Sequence, residues 1–186
     1  MNAETLLKQY AAGDREFLEL NAAGQSLSGV TLSGSKFLRA NFSHAILNGT
    51  GLQQSQLHGA RLEGAKLNKA QLQQAQLQQA NLSRADLTFS NLVGANLVGA
   101  NLSTAVLQRA DLSSANLTRA NLAGADLTEA KLVHCQLTRA NLSMRNCGDR
   151  SGLRRTANRP ISIAAISPPP NWWAPTWAVR NCARLI

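Results

Sequence analysis

A five-residue repeat of leucine runs through most of this chain and limits what the chain can fold into. Counted in blocks of five, position 5n+2 is Leu or Phe in every block from Leu27 to Leu142. From Ala40 onward, the residue two places earlier is usually Ala. A period of five fits neither the 3.6-residue period of an α-helix nor the two-residue period of a flat strand. The repeat therefore predicts a coil of short extended pieces separated by turns.

The chemistry of each block explains why the chain should coil. Positions 5n and 5n+2 lie on the same face of an extended segment, and the small residue at 5n keeps a narrow interior from being overfilled. The next three residues are mostly polar or glycine, and these residue types favour turns. Asn or Asp often precedes the leucine, and we expect its side chain to bond nearby backbone and to stack on its equivalent in the next coil.

These blocks resemble those of the pentapeptide-repeat family, whose pattern is Ala-(Asp/Asn)-Leu-X-X. The resemblance covers roughly residues 17–145, and the N-terminal opening is similar to that of many bacterial, especially cyanobacterial, members. It implies an all-β fold, a right-handed quadrilateral β-helix (a pentapeptide-repeat solenoid) with twenty residues in each of about six coils, stacked about 4.8 Å apart. The chain supports that coil length through residues that recur at this spacing: Gln53, Gln54 and Gln56 as Gln73, Gln74 and Gln76, and Asn81, Asn101, Asn121 and Asn141.

The repeat divides the chain into three parts. We expect residues 1–16 to form an N-terminal helical cap, residues 17–146 the β-helix, and residues 147–186 a basic tail containing Pro and Trp. The period stops at Arg145, which stands where Ala belongs. The tail holds six arginines and all three tryptophans of the chain. A disordered or loosely folded tail is the leading interpretation, and a folded-back cap or a tail without a selected role are the alternatives.

The predicted cap is a short capping helix over residues 3–12, closed by Gly13. Leu6, Leu7 and Tyr10 fall at helical spacing, so they can cover the first coil. The open edge of a β-helix would otherwise invite pairing with another chain.

The net charge of +9 limits the possible partners. Some members of the family protect or inhibit DNA gyrase as dimers with strongly acidic surfaces that imitate duplex DNA. Residues 25–145 hold eleven Lys or Arg and five Asp or Glu, which disfavours this alternative, because like charges repel. The basic tail gives a second alternative, in which Arg and Trp bind nucleic acid or a membrane. A solvated basic surface is the simpler interpretation.

No combination of residues predicts catalysis, a cofactor or a metal site. His44, His58 and His134 fall on three different sides of a twenty-residue coil, without Cys or carboxylate partners at metal-ligand spacing. Cys135 takes an inward small position and should behave as a buried hydrophobe. We therefore expect a protein that is not an enzyme and binds no cofactor.

The predicted location is the cytoplasm. Residues 1–10 show no signal-peptide pattern, and no apolar stretch approaches the roughly 18 residues that cross a bilayer. The three cysteines are an odd, scattered set, which favours a reducing compartment.

The outward positions supply the candidate binding residues. Phe89 occupies the last position of its block, and Val93 and Val98 occupy the position after the leucine. We expect Phe89 and Val93 to flank one corner as an exposed apolar spot. Arg119 and Arg139 are twenty residues apart and should stack directly. These five residues are the predicted contacts of a non-enzymatic scaffold or regulatory protein–protein interaction module, whose partner is another protein.

Overall fold

The computed structural model describes residues 3–18 and 20–143, which form one short helix followed by a regular coil. The helix, α1, is Ala3–Ala11. The coil is defined by parallel bridges of single residues, which recur every five residues from Glu16 to Asn141 and always join residues twenty apart. Each coil therefore contains twenty residues and four bridges, the coil length that the family resemblance implies.

The sides of the coil are bridges rather than strands. Each bridge residue lies at position 5n+1 and links the coils on both of its sides. On one side, the Asn81 amide donates to the Ala60 carbonyl at 2.9 Å, and on the other, the Asn101 amide donates to the Ala80 carbonyl at 2.9 Å. Only one residue of each block pairs in this way, so no strand of two or more residues forms in the described part of the chain. The expected all-β character therefore takes the form of parallel bridging between coils.

Leucine and alanine fill the inside of the coil, as the repeat predicts. Every 5n+2 residue from Leu27 to Leu132 is buried, with at most 5% of its surface exposed. Position 5n is Ala, Ser or Thr from Ser35 to Ala130, and all of these residues are buried as well. Burial of each leucine contributes on the order of 2 kcal/mol before the chain entropy is subtracted.

A hydrogen-bonded turn closes each block. The amide at position 5n+5 donates to the carbonyl at 5n+2, as from Ala85 to Leu82 at 3.1 Å. The residue at 5n+4 has a φ between 56° and 70° in every block from Gly24 to Arg139. A type II turn requires such a left-handed residue at its third position, usually Gly. The sequence predicted turns here, but not this conformation at the many positions that hold Arg, Gln or His.

Helix α1 packs on the N-terminal end of the coil. Leu6 is fully buried, and Leu7 and Tyr10 pack against the core. The Tyr10 hydroxyl donates to the Ser33 carbonyl at 3.2 Å, and the Arg15 guanidinium lies 3.8 Å from the centre of the Tyr10 ring. The helix therefore makes the contacts predicted for it, one residue shorter than the predicted range.

Aromatic side chains fill the first two coils. Phe17 and Phe37 stack with their ring centres 5.5 Å apart, and Phe37 meets Phe42 edge to face at 5.2 Å. Leu20 stands at the small position and Ala22 at the large one, yet both are buried. This exchange preserves the total side-chain volume, which packed cores tolerate best.

The last described coil is more exposed than the coils before it. Leu137, Leu142 and Cys135 are only partly buried. The prediction that Cys135 is a buried hydrophobe is therefore only partly correct, because no further coil within residues 3–18 and 20–143 covers this end. Burial still raises the pKa of the Cys135 thiol to about 11.

The predictions for the tail, residues 147–186, concern residues outside the described part of the chain. The same holds for the end of the β-helix at residue 146. Among the described residues, no helix has both the length and the apolar character needed to cross a membrane.

Candidate partner-binding surface

The coil arranges its outer residues in columns, in which side chains twenty residues apart lie next to each other. Asn101 donates its side-chain amide to the Asn81 side-chain oxygen at 3.2 Å, and Asn121 and Asn141 continue this ladder at 3.3 and 3.1 Å. The Asn81 oxygen also accepts the Ser83 backbone amide at 3.1 Å. Both roles predicted for these asparagines are therefore confirmed, and the columns determine which surface side chains can meet.

In three columns, neighbouring residues of opposite charge form ion pairs. The pairs are Arg109–Glu129 at 2.7 Å, Lys131–Asp111 at 3.7 Å, and Lys36–Glu16. A hydrogen bond from Lys36 and its charge lower the pKa of Glu16. Burial raises the pKa of Asp111, but hydrogen bonds from Ser113 and the charge of Lys131 outweigh it, so the net pKa is lowered. These ion pairs are exposed and contribute little stability individually.

One column stacks two positive charges instead. The Arg119 backbone amide donates to the Thr138 carbonyl at 2.9 Å, which places Arg139 in the coil directly beyond Arg119. Both arginine side chains are exposed. Neither guanidinium forms an ion pair with a carboxylate of residues 3–18 or 20–143. Within that range, no other two residues of like charge are twenty apart in the coil.

These two arginines line a shallow groove of about 290 Å³ at one corner of the coil. The other lining residues are Val98, Thr118 and Thr138. Val98 is the apolar residue of this lining, while the threonine and arginine side chains carry hydroxyl and guanidinium hydrogen-bond donors. The arrangement can therefore donate several charge-assisted hydrogen bonds to an anion.

Phe89 forms a different surface feature. Its side chain is 46% exposed, and its φ is 59°, a left-handed conformation that is an outlier for a bulky residue. The Arg109 guanidinium lies 5.4 Å from the centre of the ring, within the range of a cation–π contact. The ring is therefore held in place on the surface by its neighbour in the next coil.

The structure brings together three of the five predicted contact residues. Val98, Arg119 and Arg139 line the groove. The column of Phe89 is ten residues, or half a coil, from that of the two arginines, so Phe89 lies at the opposite corner. Val93 lies at the corner between them. The prediction that Phe89 and Val93 flank one corner is wrong, because they belong to two successive turns and lie at the two ends of one side.

Thr118 and Thr138 also line the groove but are not among the residues predicted from the sequence. Each threonine directly precedes an arginine of the groove and shares its turn. The signal that identifies them is the recurrence of the pair Thr-Arg after twenty residues, at 118–119 and 138–139.

The three histidines lie in three different columns, at 44, 58 and 134. Within the described residues, no group of three or more His, Cys, Asp or Glu side chains is placed to hold a metal ion.

These features define a class of repeat proteins: each coil has twenty residues and four turns, and leucine and alanine line its interior. Residues 26–64, 65–103 and 105–143 match the family described as pentapeptide repeats (8 copies). The chain therefore belongs to the pentapeptide repeat family. A comparison with curated proteins gives no match.

Solved structures of this family are similar to the chain. A pentapeptide repeat protein from the Arabidopsis thaliana thylakoid lumen is 34% identical with a TM-score of 0.53, over 54% of this chain and 70% of that one. A pentapeptide repeat protein from the cyanobacterium Cyanothece 51142 is 28% identical, over 76% and 98% of the two chains, with a TM-score of 0.44. HetL, from the cyanobacterium Nostoc sp. strain PCC 7120, is 26% identical, over 76% and 95%, with a TM-score of 0.31. Of the three, only the Arabidopsis structure is similar enough to support the fold.

Proposed function

We propose that this protein is a non-enzymatic scaffold or regulatory module that binds another protein through the outside of a right-handed quadrilateral β-helix. The observation that carries the proposal is the aromatic ring of Phe89, which is 46% exposed and lies 5.4 Å from the Arg109 guanidinium. Phe is among the aromatic residues that are enriched in the cores of protein interfaces.

The regular coil supports this role physically. Its turns fix the direction of each outward side chain, so a partner meets a surface that needs little reordering, and this reduces the entropic cost of binding. The fold by itself hosts several functions, and therefore the proposal depends on the surface residues and not on the coil. We also propose a cytoplasmic location, for which the support is the scattered set of three cysteines.

Affinity capture with the variant Phe89→Ser tests this proposal. Arg84→Ser is the matched control, because Arg84 occupies the same turn position in the preceding block and has the same φ of 59°. We expect a lysate of the source organism to yield a protein that binds the wild type and Arg84→Ser but not Phe89→Ser. Equal recovery with all three would show that Phe89 is not the contact. Recovery of nucleic acid that is lost on deletion of residues 147–186 would favour the alternative role for the tail.

A further inference from the structure

We propose that the groove lined by Val98, Thr118, Arg119, Thr138 and Arg139 binds carboxylate side chains of an acidic peptide segment in the partner protein. The inference rests on the proposed binding function and names the chemistry of a second contact. This contact lies at the corner opposite Phe89, so the two can be tested separately.

Arg119 and Arg139 place two positive charges next to each other in one column. The coil holds side chains of one column about 4.8 Å apart, and two positive charges at that distance repel each other. In two other columns of the coil, Arg109 and Lys131 each meet a carboxylate in the adjacent coil. A carboxylate from another chain would give Arg119 and Arg139 the counter-charge that the described residues do not supply.

The side chains that line the groove carry many hydrogen-bond donors. Each guanidinium carries five N–H donors in a planar fork, and each threonine carries one hydroxyl donor. No side-chain hydrogen bond or ion pair occupies Thr118, Arg119, Thr138 or Arg139 within residues 3–18 and 20–143. Arginine binds carboxylates through paired hydrogen bonds, which are among the strong ones in proteins. The groove is therefore lined by two residues that carry such forks.

The lining of the groove favours a peptide over a small inorganic anion. The apolar residue Val98 lines the groove together with the two arginines. The methylene groups of a glutamate side chain can pack against Val98 while its carboxylate meets the arginines, whereas phosphate has no apolar part. The groove is also shallow and spans more than one coil, from Val98 to Arg139, which suits an extended segment with several acidic residues.

The test is a titration of the full-length protein against a fluorescent peptide, Gly-Ser-Glu-Glu-Glu-Glu-Ser-Gly, followed by fluorescence anisotropy. The double variant Arg119→Gln/Arg139→Gln should bind at least about tenfold more weakly, since each charged hydrogen bond contributes on this scale. The matched control is Arg39→Gln, which removes one charge from the same column next to Gly59. It should bind within about twofold of the wild type, and binding should weaken as added salt screens the charges.

Several outcomes would overturn the proposal. They are failure of the wild type to bind the peptide, equal binding by the wild type and the double variant, and equal binding of a peptide with Gln in place of Glu. Displacement of the peptide by inorganic phosphate at equal concentration would identify a simple anion site instead. Arginine-dependent binding to vesicles containing phosphatidylserine, without peptide binding, would identify a membrane contact.

One comparison separates this inference from the proposed function. If the Gln double variant still captures the partner protein at full strength and Phe89→Ser does not, the groove proposal fails while the scaffold proposal stands. Loss of capture by both variants would support both the scaffold proposal and the groove proposal. Circular dichroism should show unchanged folding of the double variant, because both arginine side chains are exposed.

Discussion

At the scale of single residues, the small polar side chains inside the coil differ in whether they find a hydrogen-bond partner. Thr50, Ser55 and Ser90 each donate to a backbone carbonyl at 2.6 to 2.7 Å. The Ser35 hydroxyl is buried without a partner. Leaving such a group unsatisfied costs roughly 1–3 kcal/mol.

Ser35→Ala should therefore raise the free energy of unfolding by about 1 kcal/mol. Ser90→Ala, at the same block position, should lower it, because the hydrogen bond to the Leu87 carbonyl is lost. Urea unfolding followed by circular dichroism measures both variants. A loss of stability in Ser35→Ala would contradict the assignment of an unsatisfied hydroxyl.

The left-handed turn position gives a second prediction. Gly49 has a φ of 64°, and an added Cβ would meet no atom within 4 Å. The variant Gly49→Ala therefore measures only the strain of a left-handed φ in a residue with a Cβ. This strain should lower the stability by about 1 kcal/mol. The control is Gly51→Ala, where φ is not left-handed and the nearest contact is the movable end of Gln53 at 3.1 Å. It should be neutral or slightly stabilising in the same thermal melts. Equal losses in the two variants would show that φ does not determine the effect.

For single residues, the sequence predicts burial better than backbone conformation. Leu97 and Ala95 could be assigned to the interior because burial of an apolar side chain recurs with the period of the coil. The left-handed φ of Phe89 could not be predicted, because bulky residues avoid that conformation when they are free to choose. Only the surrounding hydrogen-bonded turn imposes it.

At the scale of elements, helix α1 depends on one fully buried side chain. Leu6→Ala should cost about 2–5 kcal/mol locally, the range for truncating a buried leucine. Each coil mainly contacts its neighbours, so the loss should be concentrated in the first coil. In Leu6→Ala, the increase in amide hydrogen exchange over the wild type should be larger in residues 20–40 than in residues 100–120.

Lys8→Ala is the control for this helix. Lys8 forms an exposed ion pair with Glu4 at 2.8 Å, and such pairs contribute little. Its exchange pattern should match that of the wild type. Uniformly faster exchange along the whole coil in Leu6→Ala would argue against a local cap.

The candidate surface could be predicted only in part, and the reason lies in the turns. A period of twenty places Arg119 beside Arg139, and this needs no knowledge of the corners. Assigning Phe89 and Val93 to one corner required knowing which two positions of a block form the turn. The repeat does not specify this, since polar residues occupy three positions of each block.

At the scale of the whole molecule, the coil has a well-buried middle and a less buried C-terminal end. Leu97 is fully buried between neighbouring coils, whereas Leu137 is only partly buried. In such a rod, stability is approximately the sum of contributions from each coil and its contacts. A defect in the middle interrupts the contacts on both of its sides, so it should affect the whole molecule more than a defect at an end.

The variant Leu97→Lys tests this prediction by placing a defect in the middle of the coil. An ammonium group in a narrow interior of Leu and Ala has no partner, and burial of an unpaired charge costs several kcal/mol. We expect the variant to lose the cooperative thermal transition of the wild type. Arg84→Ser is the control, because the Arg84 side chain is 76% exposed and its ion pair with Glu63 is long, at 3.8 Å. Its melting temperature should stay close to that of the wild type, since surface substitutions usually change stability by no more than about 0.5 kcal/mol. Equal melting temperatures for the two variants would mean that the leucine column does not hold the coil together.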